Sequence, residues 1–307
     1  MGKLLEGKVA IVTGSGRGIG RAEAIALAFE GAKVVVNDVG VERDGSAGSK
    51  SPANETVAEI RNLGGQAIAS YDSVADFQAA QRIIQVALDT FGRLDILVNN
   101  AGILRNVPFT EMIEEDWDSV IAVHLKGTFN TCRHALPVMI RQKYGRVINT
   151  TSSQWRNPEA RASYAAAKGG IVSLTWDLAW EMRNYGITVN AVAPMARTRG
   201  SLYSAEHHER LSKDGLLSKE RVGQIEERPD PIYVPPMVVY LASDLATNVN
   251  GCIFRVGAGK IALYSHPTEI RGIYRNYKKD GPWPLEELKE LLPRTVLAGD
   301  TRAPHIP

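Results

Sequence analysis

Short, almost continuously apolar runs punctuate the first two thirds of the chain: KVAIVT from Lys8, KVVVND from Lys33, QAIASY from Gln66, LDILVNN from Leu94, GRVINTTS from Gly145 and ITVNAVAP from Ile187. Such runs, rich in β-branched residues and bounded by Gly, Asn or Asp, predict strands buried on both faces. Between them apolar residues recur at helical spacing, as in RAEAIALAFE and VADFQAAQRIIQVALDTF. Strand alternating with helix predicts an α/β fold, a doubly wound parallel sheet of about seven strands with helices on both faces. The seventh strand is expected near CIFRV, from Cys252.

Three segments break the rhythm. Residues 40–54 form a Gly/Ser-rich insertion after strand two. Residues 195–235 are polar and charged, and long for a connection, which predicts a substrate lid at the carboxyl edge of the sheet. The tail carries several prolines and one helical stretch, PLEELKELL. The expected organisation is therefore a single catalytic domain over residues 1–260, including the lid, and a C-terminal extension over residues 261–307.

Composition narrows the function classes. With 36 basic and 34 acidic residues in 307, nothing argues for nucleic acid or a charged membrane surface as partner. Two cysteines, Cys132 and Cys252, make no disulfide framework and no metal-ligand spacing, so no metal is expected and a reducing cytoplasm is the expected compartment. The N-terminal MGKLLEGKVAIVTG reads as no signal peptide, RAPHIP as no peroxisomal address, and no apolar stretch is long enough to predict a membrane span.

Strand one runs into TGSGRGIG, Thr13 to Gly20, and then into a helix. Glycines let the backbone turn sharply and approach a pyrophosphate, and the helix start offers it free N–H groups and partial positive charge. This predicts a Rossmann-type dinucleotide site built on Gly14, Arg17, Gly18, Ile19 and Gly20; the plain alternative is a structural turn. Strand two ends at Asp38, where a carboxylate accepts from ribose hydroxyls and repels a 2′-phosphate, so NAD is the expected cofactor. Arg17 and Arg43 count the other way if either stands near the ribose. Asp72, after strand three, is either an adenine contact or a helix N-cap.

The chemistry is expected after strand five. In YAAAK, Tyr164 and Lys168 lie one helical turn apart on one face. A nearby ammonium lowers a phenol's pKa, so Tyr164 can exchange a proton with an alcohol or ketone while hydride moves. A serine after strand five, in TTSS, can hydrogen-bond the substrate oxygen and the phenol. A packed tyrosine beside a surface lysine is the plain alternative.

Taken together, TGSGRGIG, Asp38, NNAG (Asn99 to Gly102), TTSS and YAAAK resemble the short-chain dehydrogenase/reductase family, over about residues 5–260. The resemblance implies that Gly14, Gly18 and Gly20 cradle the pyrophosphate, that Asn99 helps stabilise the central strands beside the cofactor, that Ala101 and Gly102 belong to the cofactor site, and that Thr198 contacts the carboxamide. It implies Tyr164 as acid/base, Lys168 as the residue that holds the nicotinamide ribose and tunes Tyr164, and Ser152, rather than Ser153, as the catalytic serine. Two positions depart from the pattern. His124 stands where an Asn usually supports a relay water, which implies a modified relay or, alternatively, a core histidine. Pro194-Met195 replaces the usual Pro-Gly, which puts the path of the following loop in question.

A closer layer, VVVNDVG with its insertion, VNNAGILR, WDSVIAVHLKGTF, QKYGRVINTTSS and FRVGAGKI, is similar to the (3R)-hydroxyacyl-CoA dehydrogenase domain of the multifunctional peroxisomal β-oxidation enzyme and its bacterial stand-alone relatives. This implies a hydroxyacyl-CoA or a bulky alicyclic or steroid alcohol as substrate, and a homodimer or homotetramer. A terpene or small alicyclic alcohol dehydrogenase is the second enzymatic reading; a non-catalytic NAD-sensing scaffold is the rival from another class. In the lid, Arg197, Arg199, His207, His208, Arg210 and Lys213 are expected to be solvated charge or CoA phosphate contacts, with Leu202, Leu211, Leu216 and Leu217 over the acyl group.

Overall fold

The computed structural model describes residues 3–41, 49–156, 161–198, 207–215 and 218–299. Arg43, Arg199, Leu202, Leu216 and Leu217 lie outside them. The chain divides into two compact units, Met1–Tyr264 and Ser265–Pro307.

In the first unit β1 (Val9–Thr13), α1 (Gly18–Phe29), β2 (Lys33–Asn37), α2 (Ser51–Asn62), β3 (Gln66–Ser70), α3 (Phe77–Phe91) and β4 (Ile96–Asn99) alternate as the apolar pattern predicts. They are followed by α4 (Glu114–Ile121), a π-helical turn (Ala122–Lys126), α5 (Gly127–Gln142), β5 (Gly145–Thr150), α6 (Ala162–Met182) and β6 (Ile187–Pro194). A helix over 207–213 (α7), α8 (Lys219–Glu226), α9 (Pro235–Ala242), β7 (Ile253–Gly257) and β8 (Lys260–Leu263) complete it. The sheet order is β3-β2-β1-β4-β5-β6-β7-β8, with every pair parallel except the last. The seven expected strands are all present. The eighth was not anticipated: KIALY is short and lies past residue 260, and it returns antiparallel to β7 through a turn at Ala258 and Gly259, both at positive φ.

Both faces of the sheet are covered, which is why the strands read as apolar without alternation. Ala10, Val12, Val34 and Val36 pack with Leu27 of α1, Ile60 of α2 and Val238 of α9. Val9, Ile11 and Val35 pack on the other side with Ile83 of α3, Met139 of α5 and Met182 of α6. Strand order reverses between β1 and β4, so the loops at their carboxyl ends diverge and leave a crevice there, where ligands bind in such sheets.

The second unit contains α10 (Tyr277–Asp280) and α11 (Leu285–Arg294), the latter over the stretch expected to be helical. Arg275 pairs with Glu287 at 2.6 Å and lies over the Trp283 ring.

Candidate active site

One cavity of about 610 Å³ opens at the carboxyl edge, and most of the expected site residues line it. Gly14, Arg17, Gly18, Ile19, Asp38, Asp72, Ala101, Gly102, His124, Ser152, Tyr164, Lys168 and Thr198 all do so; Gly20 and Asn99 do not.

The dinucleotide end is built by close approach of backbones. Gly14 adopts φ 64°, and a Cβ there would stand 2.7 Å from Ala101 Cα. A Cβ on Gly20 would meet Asn100 Nδ2 at 2.4 Å and the Gly14 carbonyl at 2.5 Å, so Gly20 serves the packing of turn on helix. The clamp is Asn100, which the motif reading passed over. Its side-chain amide donates to the Thr13 and Gly14 carbonyls at 3.0 and 3.1 Å, while its backbone N–H donates to Thr13 Oγ1 at 3.0 Å. Arg17, at the N-cap of α1, makes no capping bond, which leaves the helix's first N–H groups facing the cavity wall. Such a cradle fits a pyrophosphate.

Asp38 accepts the Gly16 N–H at 2.8 Å and the Gly40 N–H at 2.7 Å, so the carboxylate both borders the cavity and holds the turn. Gly16 has to lack a side chain, because a Cβ would reach Pro52 Cβ at 2.6 Å. Asp72 is not the cap of α3; that is Asp76, which accepts the Ala79 N–H at 2.6 Å. Asp72 instead pairs with Arg82, at 2.7 Å, while still bordering the cavity.

Asn99 points into the sheet interior. It donates to Asn149 Oδ1 at 3.0 Å and accepts from Thr131 Oγ1 at 2.6 Å, while Asn149 donates to Thr175 Oγ1 at 3.0 Å. This buried chain ties β4 and β5 to α5 and α6, directly under the site.

At the other end, Ser152 has an extended backbone and caps the short 3-10 turn Ser153–Trp155, its Oγ accepting the Gln154 N–H at 3.3 Å. Ser153 also lines the cavity. Tyr164 and Lys168 stand on one face of α6, with the ammonium 5.5 Å from the phenol ring centroid. Lys168 is buried and donates to the Thr150 carbonyl at 2.5 Å; removal from water pulls its pKa down to about 7.

His124 belongs to the π-helical turn, a distortion often found at functional sites. The ring stands edge-on to the Tyr164 ring at 5.2 Å between centroids. Burial, and then the Lys168 charge, push its pKa down to about 3, so the imidazole is neutral. Nε2 meets Ile103 alone, 2.8 Å from its carbonyl and accepting its N–H at 3.2 Å, while Nδ1 is buried with no hydrogen-bond partner among the described residues. Gly102 is small for the sake of this ring: a Cβ would stand 2.4 Å from His124 Cε1.

The loop after β6 follows a path that needs no glycine at 195. Met195 is absent from the positive-φ residues; its N–H donates to the Val256 carbonyl at 2.7 Å. Thr198 comes within 3.7 Å of where a Gly18 Cβ would be, which brings it over the phosphate turn.

The lid differs from its expectation. His207 and His208 are buried rather than solvated, Leu211 is buried, and Arg210 pairs with Glu111 at 2.9 Å. His208 Nε2 lies 3.0 Å from Arg161, a cavity-lining arginine that motif reading missed because it lies outside YAAAK. Arg255 of β7 was missed likewise; a strand residue's facing depends on register, which a motif does not carry.

A family model for short chain dehydrogenases matches residues 8–200. The chain belongs to the short-chain dehydrogenase/reductase family. It is 39% identical over 286 residues to the mouse peroxisomal multifunctional enzyme type 2, covering 93% of this chain and 36% of that protein, so it spans about a third of that relative's length. It is 37% identical over 308 residues to the Mycobacterium tuberculosis hydroxyacyl-CoA dehydrogenase ChsB1, covering 96% of this chain and 90% of that one. A short chain dehydrogenase from Mycobacterium avium superposes with a TM-score of 0.80, at 39% identity and 98% coverage of both chains. This dehydrogenase is thus an oxidoreductase of a family that works with a nicotinamide dinucleotide. Among the described residues, no helix is long and apolar enough to cross a membrane and no cluster could hold a metal ion.

Proposed function

We propose that the enzyme oxidises a secondary alcohol with NAD, the alcohol being a 3-hydroxyacyl-CoA or a similarly bulky alicyclic or steroid compound. The observation that carries the reading is the convergence of Ser152, Tyr164 and Lys168 with the glycine cradle around a single cavity. A scaffold that only sensed NAD would not need a buried lysine tethered beside a tyrosine at the cavity wall.

The cradle of Gly14, Gly18 and Asn100, with the start of α1, would hold the pyrophosphate; Asp38 would take the adenosine ribose hydroxyls; Lys168 would hold the nicotinamide ribose and Thr198 the carboxamide. The bound nicotinamide supplies the hydride acceptor. Ser152 Oγ orients the substrate hydroxyl, and Tyr164 takes its proton as the carbinol carbon loses hydride. Lys168 favours the phenolate electrostatically, and a pKa near 7 lets it pass a proton on toward solvent. His124 Nδ1, buried and without a partner among the described residues, would take part in a relay through water in place of the usual Asn.

The hydroxyacyl-CoA preference draws on the activity named for the mycobacterial relative and on the likeness to the peroxisomal enzyme. The test is NADH formation across acyl-CoA, steroid and terpene alcohols, with Tyr164→Phe as control. Turnover is expected to fall about 10²–10⁴-fold in the variant while it still binds NADH. Near-native turnover in Tyr164→Phe overturns the assignment, and a terpene as best substrate favours the second reading.

A further inference from the structure

The turn that follows Ser152 is weakly held by its own backbone. It is a three-residue 3-10 turn, Ser153–Trp155, and its hydrogen bonds are all long. Trp155 N–H donates to the Ser152 carbonyl at 3.3 Å, Arg156 N–H to the Ser153 carbonyl at 3.2 Å, and Gln154 N–H to Ser152 Oγ at 3.3 Å. Hydrogen bonds in 3-10 geometry are poorer than in an α-helix, and these lie at the long end of the usual range. A side chain that orients a reacting oxygen has to be held to within about half an ångström. Support for Ser152 therefore has to come from outside the turn's backbone.

Two aromatic rings supply it. Trp155 closes the turn and packs, partly buried, with Val172 of α6, Ala191 of β6 and Ile253 of β7. Its Cβ lies 3.9 Å from where a Cβ on Gly169 would stand, so the turn leans on α6 at the residue that follows Lys168. The indole Nε1 is buried without a hydrogen-bond partner among the described residues, so packing holds the ring. Tyr264 meets the indole edge-on, with ring centroids 5.8 Å apart and planes at 76°. The Arg156 guanidinium lies 5.6 Å from the centre of the same phenol ring. Two consecutive turn residues thus grip one ring, through contacts whose strength depends on its placement.

The return strand β8 places that ring. Tyr264 N–H donates to the Ile253 carbonyl at 2.9 Å, extending the antiparallel pairing of β7 and β8 by one residue. Lys260, Ile261 and Leu263 of β8 are exposed, whereas Tyr264 packs with the cluster that holds Trp155. Neither Trp155 nor Tyr264 borders the cavity.

We propose that Trp155 and Tyr264 are positioning residues: the pair holds the Ser153–Trp155 turn against α6 and so sets Ser152 Oγ at its working distance from the Tyr164 hydroxyl. This rests on the reading of Ser152 and Tyr164 as catalytic residues. It also gives β8 a role in the chemistry, through a ring delivered from the edge of the sheet.

The experiment measures kcat and KM for 3-hydroxybutyryl-CoA at saturating NAD, or for the fastest alcohol of the panel above if that thioester is not turned over. Tyr264→Ala is expected to lower kcat about 10–100-fold, with KM and the Kd for NADH within about twofold of the wild type. Tyr264→Phe keeps the ring and should retain most of the turnover. The deciding readout is the combination with Ser152→Ala. Once the hydroxyl is gone its placement no longer matters, so Ser152→Ala/Tyr264→Ala should turn over no more slowly than Ser152→Ala alone. Trp155→Leu should show the same dependence, and it carries the test if Tyr264→Ala does not fold. Falls in kcat that multiply in the double variant overturn the proposal, because they place the effect of the ring elsewhere than at Ser152. Full turnover in Tyr264→Ala overturns it too, as does loss of NADH binding in step with kcat, which marks a general loosening of the fold. Full turnover in Ser152→Ala or Tyr164→Phe, or no turnover of any alcohol by the wild type, overturns the catalytic reading and the proposal with it. Those results come from proteins in which Trp155 and Tyr264 are intact, so the two failures are told apart.

Discussion

The Asp38 carboxylate accepts the backbone N–H of Gly16 at 2.8 Å, so the residue expected to choose the cofactor also fixes the turn that would hold its phosphates. Asp38→Ala should therefore do two things: relax discrimination against NADP by removing the negative charge, and weaken NAD itself by loosening the turn. Steady-state kcat/KM with NAD and NADP for both proteins checks this. A wild-type enzyme that works better with NADP would reverse the carboxylate argument.

Gly102 and His124 should behave as a coupled pair. The methyl of Gly102→Ala would meet His124 Cε1 at 2.4 Å, with backbone dihedrals that do not themselves demand glycine. The expected loss is about 1–3 kcal/mol of stability from overpacking, together with lower turnover because the ring lies edge-on to Tyr164. Adding His124→Ala to Gly102→Ala should recover part of the stability but not the activity. Strictly additive denaturation free energies would show that the two do not meet.

Glu23 makes stability fall as pH rises. It sits on α1 fully buried, neither carboxyl oxygen has a hydrogen-bond partner among the described residues, and burial pushes its pKa from 4.5 up to about 8. Between those values the folded state keeps the proton and the unfolded state does not, so the slope of unfolding free energy against pH is negative, about 1.4 kcal/mol per unit. Glu23→Gln should gain on the wild type progressively across that window and level off above it. Comparing the two proteins at each pH isolates Glu23 from Lys168 and His124, whose lowered pKa values act in the opposite direction. A constant difference from pH 5 to 8 would mean that Glu23 is ionised in the fold.

The outer faces of α5 and α6 are expected to be covered in an oligomer. Phe129 on α5 and Trp180 on α6 are 46% and 65% exposed, and Phe129 stacks on Phe77 at 6.3 Å. Large exposed aromatics on neighbouring helices suit burial against a second copy. Light scattering at micromolar concentration should give a dimer or tetramer, and Trp180→Glu should shift it toward monomer. A monomeric wild type would contradict this.

The sequence by itself determined the architecture, and it named most of the residues that border the cavity. Seven parallel strands follow from runs apolar enough to be buried on both faces, and the glycine turn, Asp38, Ser152 and YAAAK are legible because local spacing alone fixes their geometry: a turn before a helix, a carboxylate at a strand end, two side chains one helical turn apart. What depends on distant segments meeting was decided only by the tertiary structure. Asn100 looks like the neighbour of Asn99, but the strand's alternation sends one amide to the glycine turn and the other to Asn149. Asp72 could have capped a helix until Asp76 was seen to do so. His207 and His208 read as lid charge, yet the fold buries them, His208 against an arginine 47 residues away in sequence. That arginine and Arg255 line the same cavity from the start of a helix and the middle of a strand near the sheet's edge. No local pattern encodes such a meeting, because it is fixed by the packing of α6 and β7 around the crevice rather than by the residues on either side of each arginine.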